Sequence, residues 1–371
     1  MTKKIVLTGT HLTPALALID QLKQKKWQIL YFGRQTSLAG SSQPAIEKQL
    51  LPSKKVKFIS ISSSKFQRHH PLKSIFALIK LPFGLAQSLY HLKKFSPSVV
   101  VSFGGYVALP VCLAAKILKL PLIIHEQTFR VGLTSKLTAK LADKIALSWP
   151  ESTRYFPAKK IVLTGNPIRK ELLKIKPSTS SYKPQAIYIT GGNQGSKIIN
   201  QTINQVITPL LGKYPVYHQF GLAQSESSWQ KQQNLKTSLP SNLKKNYFLK
   251  RWFTADDLVS IFQRSQLVIS RAGINIITEL AYLQKPGLLI PLLYAQKNEQ
   301  NLNAQFLKNL GLALILPQPQ LTPETLFRKI DQAISQLPSQ PQRTFPKELV
   351  KKASHHLYQL ITAVTSDRQK N

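Results

Sequence analysis

The sequence predicts an α/β chain of two parallel-sheet domains, and three observations carry that prediction. Apolar strand-length runs alternate with longer helix-like stretches throughout the 371 residues, the pattern of strands joined by helical crossovers. The runs fall into two sets separated by KIKPSTSSYKPQ at 174–185, whose Pro, Ser and Lys content and lack of apolar periodicity mark a linker. In each set a strand breaks into a glycine turn just before a helix-like pattern.

Taken in order, the first set places strands at 4–8, 27–32, 56–61, 98–102, 121–125, 144–148 and 161–164. The second places them at 186–190, 214–220, 246–250, 267–269, 287–290 and 313–316. The heptapeptide KKIVLTG occurs at 3–9 and again at 159–165, each time as a strand ending in a glycine turn, and coincidence suffices for so generic a strand. Residues 69–95 set Ile75, Phe76, Leu78, Ile79, Leu81, Phe83 and Leu85 among Lys73, Lys80, Lys93 and Lys94. Two readings of that segment stand. One is a core helix broken near Pro82 and Gly84. The other is a surface helix that lays its apolar side chains on a bilayer while its lysines meet anionic headgroups.

Two turns carry chemistry. IYITGGNQGSKIIN at 187–200 runs from strand through Gly191, Gly192, Asn193, Gln194 and Gly195 into a helix. Glycines let the backbone approach an anion, and the free N–H groups and positive dipole end of the helix face it, so a nucleotide diphosphate is the expected occupant. A plain βα connection also uses glycine. The second turn adds weight: SRAGINIITEL at 270–280 follows another short strand, and its Glu279 lies where a carboxylate accepts both hydroxyls of a ribose. Asp256 and Asp257 read differently, as acids opening a helix after Thr254.

Charge and composition narrow the classes. The chain carries 51 Lys and Arg against 15 Asp and Glu, a net charge of +36, which points to an anionic partner. The lysines are dispersed and no nucleic-acid-binding signature accompanies them, so no specific nucleic acid is expected. Acids are scarce enough to read singly, and Glu126, Glu279 and Glu299 all fall in or beside motif-like loops. Cys112 is the only cysteine and the eight histidines show no HExxH spacing, so neither a metal nor another cofactor is expected. The N-terminus reads as strand and glycine loop instead of a signal peptide, and no run approaches the ~18 apolar residues of a membrane span. A cytoplasmic protein follows as the expectation.

In order, the motifs are TGTHLTPALA (8–17), SFGGYVALP (102–110), HEQTFRVGLTSK (125–136), TGNPIR (164–169), TGGNQGSKIINQ (190–201), SRAGINIITELA (270–281) and Gln300 with Asn303 and Ala304. Together they resemble the glycosyltransferase family 28 enzymes of bacteria that add N-acetylglucosamine to undecaprenyl-pyrophosphoryl-N-acetylmuramyl pentapeptide, from residue 4 to about 345. The resemblance implies a GT-B fold, two Rossmann-like domains facing an interdomain cleft. The implied division is 1–166 for the lipid acceptor and membrane, 167–345 for UDP-N-acetylglucosamine, and 346–371 as a C-terminal helix. The apolar pattern of Leu349, Leu357, Leu360 and Ile361 would lay that helix back on the first domain, and 174–185 would be the hinge. The implied location is the cytoplasmic face of the plasma membrane, as a peripheral protein.

Carried over position by position, the resemblance makes His11 the histidine of the acceptor loop, and an unperturbed imidazole pKa of about 6.5 makes it the candidate general base, with Glu126 in reserve. Thr8, Gly9, Thr10, His11, Gly104, Gly105, Tyr106, His125, Gln127 and Thr128 would meet the acceptor. Arg169, Gly191, Gly192, Asn193, Gln194, Gly195, Trp252, Phe253, Ala272, Gly273, Glu279, Glu299 and Gln300 would meet the donor, with Arg251 beside them. The chain departs from the family's pattern in places. Its first loop is TGTH in place of GGTGGH, HEQN has become HEQT, GGSQG has become GGNQG, and Lys297, Asn298 and Glu299 precede the glutamine. The implied chemistry is a direct inverting displacement without a divalent ion, and the chain contains no Asp-x-Asp. Two alternatives stay open: a UDP-sugar transferase acting on diacylglycerol, and a non-catalytic basic protein that binds membrane or nucleic acid.

Overall fold

The computed structural model of the chain describes residues 3–36, 43–63, 71–175, 185–293, 298–337 and 343–370, with the backbone alone at 71–78 and 368–370. The chain divides into two compact units, Met1–Arg169 with Glu348–Asn371, and Lys170–Lys347. Most of the 174–185 linker, residues 176–184, lies outside the described residues.

The first unit begins with β1 (Lys4–Thr8), α1 (Leu12–Gln24), β2 (Gln28–Gly33), α2 (Ile46–Leu50), β3 (Lys57–Ser60) and α3 (Pro71–Phe95). It continues through β4 (Val99–Ser102), α4 (Ala108–Ile117), β5 (Leu122–Glu126), α5 (Leu133–Leu141), β6 (Lys144–Leu147) and β7 (Ile161–Leu163). The strands form one parallel sheet in the order β3-β2-β1-β4-β5-β6-β7. Central strands are covered on both faces, so they read as unbroken apolar runs; Ile5, Val6, Leu7, Val99, Val100 and Val101 are all fully buried. The repeated heptapeptide supplies both β1, in the middle of the sheet, and β7, at its edge.

The second unit holds β8 (Ala186–Thr190), α6 (Lys197–Lys213), β9 (Val216–Gln219), α7 (Glu226–Ser238), α8 (Ser241–Lys244), β10 (Tyr247–Lys250) and α9 (Ala255–Arg264). Then come β11 (Ser265–Ser270), α10 (Ile274–Leu283), β12 (Gly287–Leu289), α11 (Glu299–Asn309), β13 (Ala313–Ile315) and α12 (Pro323–Gln336). Its parallel sheet runs β10-β9-β8-β11-β12-β13. Thr254 and Asp257 form a capping box at the start of α9, as expected of acids at a helix N-terminus. After α13 (Lys347–Lys351), the last helix α14 (Ala353–Lys370) packs on α1 and β4 within the first unit, with Leu357 and Ile361 fully buried.

One expectation needs correction. The segment 69–95 is not broken at Pro82 or Gly84, since α3 runs through both. Pro82 is exposed, so water can satisfy the carbonyl its missing N–H abandons. Gly84 serves close packing, because a Cβ there would lie 2.1 Å from the Ser62 carbonyl oxygen. Ile79 and Phe83 stand 54% and 65% exposed beside the exposed Lys80. Lys73, Ile75, Phe76 and Leu78 fall outside the described side chains.

Candidate active site

In open parallel sheets, ligands bind beyond the strand C-termini where the strand order reverses. That point lies between β1 and β4 in the first unit and between β8 and β11 in the second. Both ends carry paired hydroxyls in register, Thr8 with Ser102 and Thr190 with Ser270, all four buried.

At the first crevice two glycine loops close on one another. The Thr10 N–H donates to the Gly104 carbonyl (3.0 Å) and the Phe103 N–H to the Thr8 carbonyl (2.7 Å). A Cβ on Gly9 would meet the Gly104 carbonyl oxygen at 2.8 Å, and one on Gly105 would meet Thr10 Oγ1 at 2.1 Å. Both glycines have positive φ, which L side chains rarely adopt. His11 is the residue before α1, yet its ring makes no capping bond. Burial, with Arg34 second, lowers its pKa to about 4, so it is a neutral imidazole at pH 7.

His125 and Glu126 end β5. Burial brings the His125 pKa down to about 4. Its Nε2 lies 3.3 Å from both the Gly165 carbonyl and Ser148 Oγ, while the buried Nδ1 has no hydrogen-bond partner among the described residues. Glu126 Oε1 accepts from the Thr128 N–H (3.0 Å) and the Thr128 hydroxyl (2.7 Å). Burial raises the Glu126 pKa against these bonds and one from Ser135. Trp149 Nε1 and Ser152 Oγ donate to the carbonyls of Gln127 and Thr128, so HEQT is a braced loop. Among the described residues Thr8 Oγ1 and Gln127 Oε1, also buried, have no hydrogen-bond partner, which suits both to meet a polar ligand.

At the second crevice the loop 191–195 enters α6 through Ser196, whose hydroxyl caps Ile199 N–H. Thr190 Oγ1 accepts from the Gly192 N–H (3.0 Å) and from Gln219 Nε2 (3.2 Å), and Gln219 Oε1 accepts the Phe253 N–H (3.2 Å). Gly195 lies backbone to backbone against Gly221 at the end of β9: a Cβ on Gly221 would sit 2.2 Å from Gly195 Cα. Leu222 and Ala223 donate back to the carbonyls of Asn193 and Gln194.

Gly273 precedes α10 with no side-chain cap, and a Cβ there would meet nothing within 4 Å. The start of a helix without a side-chain cap suits an anion. Ala272 is buried, its carbonyl held by Asn303 Nδ2 (3.0 Å). Arg271 donates to the carbonyls of Ile290 and Pro291. Glu279 is buried in α10, while Glu299 and Gln300 open α11. Gln300 Oε1 accepts the Leu292 N–H (2.9 Å). Arg169 and Trp252 are half-buried. The Phe253 ring is buried against Tyr188 and Tyr217, and its backbone N–H is taken by Gln219, so it serves packing in place of the donor contact expected of it.

Gln219, Arg271, Ser135 and the pair Arg34–Glu47 went unread in the sequence. Glu47, 1% exposed, carries no signal in the sequence beyond being one of 15 acids.

Comparisons with known proteins agree with this layout. The glycosyltransferase family 28 N-terminal domain matches residues 6–147 and the family's C-terminal domain matches 186–358. The chain is 34% identical over 341 residues to the UDP-N-acetylglucosamine–N-acetylmuramyl-(pentapeptide) pyrophosphoryl-undecaprenol N-acetylglucosamine transferase of Clostridium botulinum strain Langeland, covering 89% of this chain and 90% of that protein. It is 32% identical over 342 residues to the Clostridium novyi protein of the same name, covering 89% and 90%. The crystal structure of Acinetobacter baumannii MurG is similar at a TM-score of 0.64 and 26% identity, over 97% of this chain and 99% of that one. The UDP-GlcNAc 2-epimerase of Neisseria meningitidis, at 16% identity and a TM-score of 0.61 over 98% and 100%, shares the fold.

Proposed function

The chain belongs to glycosyltransferase family 28, and from that premise we propose that it transfers N-acetylglucosamine from UDP-N-acetylglucosamine to undecaprenyl-pyrophosphoryl-N-acetylmuramyl pentapeptide in peptidoglycan synthesis. The observation that carries the reading is the 34% identity over 89% of the chain to transferases of that name. Two strand-end crevices, each rimmed by glycine loops and buried hydroxyls, support it.

The reaction is a displacement with inversion. The C4 hydroxyl of the muramyl sugar attacks the anomeric carbon of N-acetylglucosamine, the bond from that carbon to the diphosphate oxygen breaks, and the hydroxyl proton passes to a base. His11 is that base: it is neutral at pH 7, and burial leaves it weaker, with a pKa of about 4, than the free imidazole of 6.5 expected from the sequence. Glu126 is less apt, since its carboxylate is spent on Thr128 and Ser135. Charge developing on the leaving diphosphate meets the uncapped start of α10 and the loop 191–195, and Arg169 is the cation that the resemblance assigns to the donor. Glu279 binds the ribose hydroxyls and Gln300 the sugar.

The test is UDP release with the muramyl lipid, with diacylglycerol, or with neither. Release with the muramyl lipid alone is expected; release with diacylglycerol alone overturns the acceptor assignment.

The protein works as a peripheral protein at the cytoplasmic face of the membrane. No helix among the described residues is long and apolar enough to cross a membrane. Exposed Ile79 and Phe83 on α3 beside Lys80 suit an anionic lipid surface, each lysine contributing on the order of 1 kcal/mol. Vesicles containing anionic lipid should bind more protein than neutral ones, and less in high salt or with Phe83→Ser. Equal binding to both vesicle types would sink the anchoring role.

A further inference from the structure

Arg34 directly follows β2, whose register with β1 sets Phe32 beside Thr8, so its backbone arrives next to the loop 8–11. Its side chain grips Glu47 of α2 bidentately: Nε donates to Oε1 (2.9 Å), a terminal nitrogen to Oε2 (3.2 Å), and the Arg34 backbone N–H also reaches Oε1 (3.3 Å). Such a pair is by default a suture between β2 and α2. Three observations go beyond that.

The chain leaves room for this carboxylate, since a Cβ on Gly33 would lie 2.9 Å from Glu47 Cγ. The Arg34 guanidinium also acts electrostatically on the phenol of half-buried Tyr106. Tyr106 follows Gly104 and Gly105, which pack on His11 and Thr10. Finally, Arg34 acts electrostatically on His11.

We infer that Arg34 is a positioning residue for the acceptor side of the reaction: clamped by Glu47, its guanidinium fixes the Tyr106 phenol against the loop 8–11. The inference rests on the proposed function, which gives His11 and Tyr106 acceptor-side roles. The groups that bear on His11 are Arg34 after β2 and His125 of β5; Glu47 and Tyr106 bear on Arg34. A fixed cation disfavours the imidazolium, so Arg34 adds to the lowering of the His11 pKa that burial begins.

Removing Arg34 alone strands a buried carboxylate, so the informative variant is Arg34→Gln/Glu47→Gln, which keeps two amides of similar shape. It should stay folded with its KM for UDP-N-acetylglucosamine unchanged. Its KM for the muramyl lipid should rise at least about tenfold, the scale of one charge-assisted hydrogen bond. By NMR, the His11 ring should titrate above about 4, moving toward 6.5, and the acid limb of kcat/KM should move up with it. Arg34→Lys keeps the charge without the fork, so it should leave the His11 titration in place while still raising the lipid KM. A folded double variant with wild-type lipid KM and His11 titration would reduce the pair to a suture. Wild-type protein that releases no UDP with the muramyl lipid would instead overturn the acceptor reading, and this inference with it.

Discussion

Replacing His11 with alanine should lower turnover at least ~100-fold, the usual worth of a positioned general base, without unfolding the first unit. The ring takes no part in capping α1, so its removal spares the helix. Gly104 passes close by, since a Cβ there would lie only 3.6 Å from the ring carbon Cδ2, so the imidazole lies at the strand-end crevice. Steady-state kinetics on His11→Ala, with the folded state checked by circular dichroism, decide the matter. A loss of only a few fold would assign His11 to binding and return Glu126 to consideration as the base.

The second large effect concerns a contact between backbones. Gly221→Ala should destabilise the second unit by about 3 kcal/mol or more, because the new methyl would sit 2.2 Å from Gly195 Cα at a φ of +104°. In thermal unfolding that is a loss of roughly 6–12 °C for a unit of this size. Gly273→Ala is the counterpart. Its backbone φ is −69° and a methyl there meets nothing within 4 Å, so stability should hold while donor affinity falls as the methyl crowds the start of α10. Equal melting temperatures for Gly221→Ala and wild type would mean the two loops part without cost, and the donor loop would need another support.

Why was so much of the fold legible beforehand? Each of the thirteen strands among the described residues lies within two residues of its expected position, because parallel strands covered on both faces must be apolar throughout and their ends must break into loops. The glycine turns were legible for a related reason: positive φ at Gly9, Gly104, Gly105, Gly192 and Gly195 excludes most other residues. What escaped were pairings across the chain. Arg34 and Glu47 stand 13 residues apart, and each alone looks like an ordinary surface charge. Gly221 alone looks like loop filler, and only the approach of Gly195 gives it a reason. Helix α3 passes through Pro82 because the lost hydrogen bond falls on a wet face, and wetness is a tertiary fact.

The heptapeptide shared by β1 and β7 gives the chain an internal control on locality. The same seven residues bury Leu7 completely in one place and leave Leu163 40% exposed in the other. Intrinsic preference is identical by construction, so the whole difference belongs to the neighbours. A substitution table for strands that ignored context would assign one tolerance to both copies, and this protein would make it wrong at one of them.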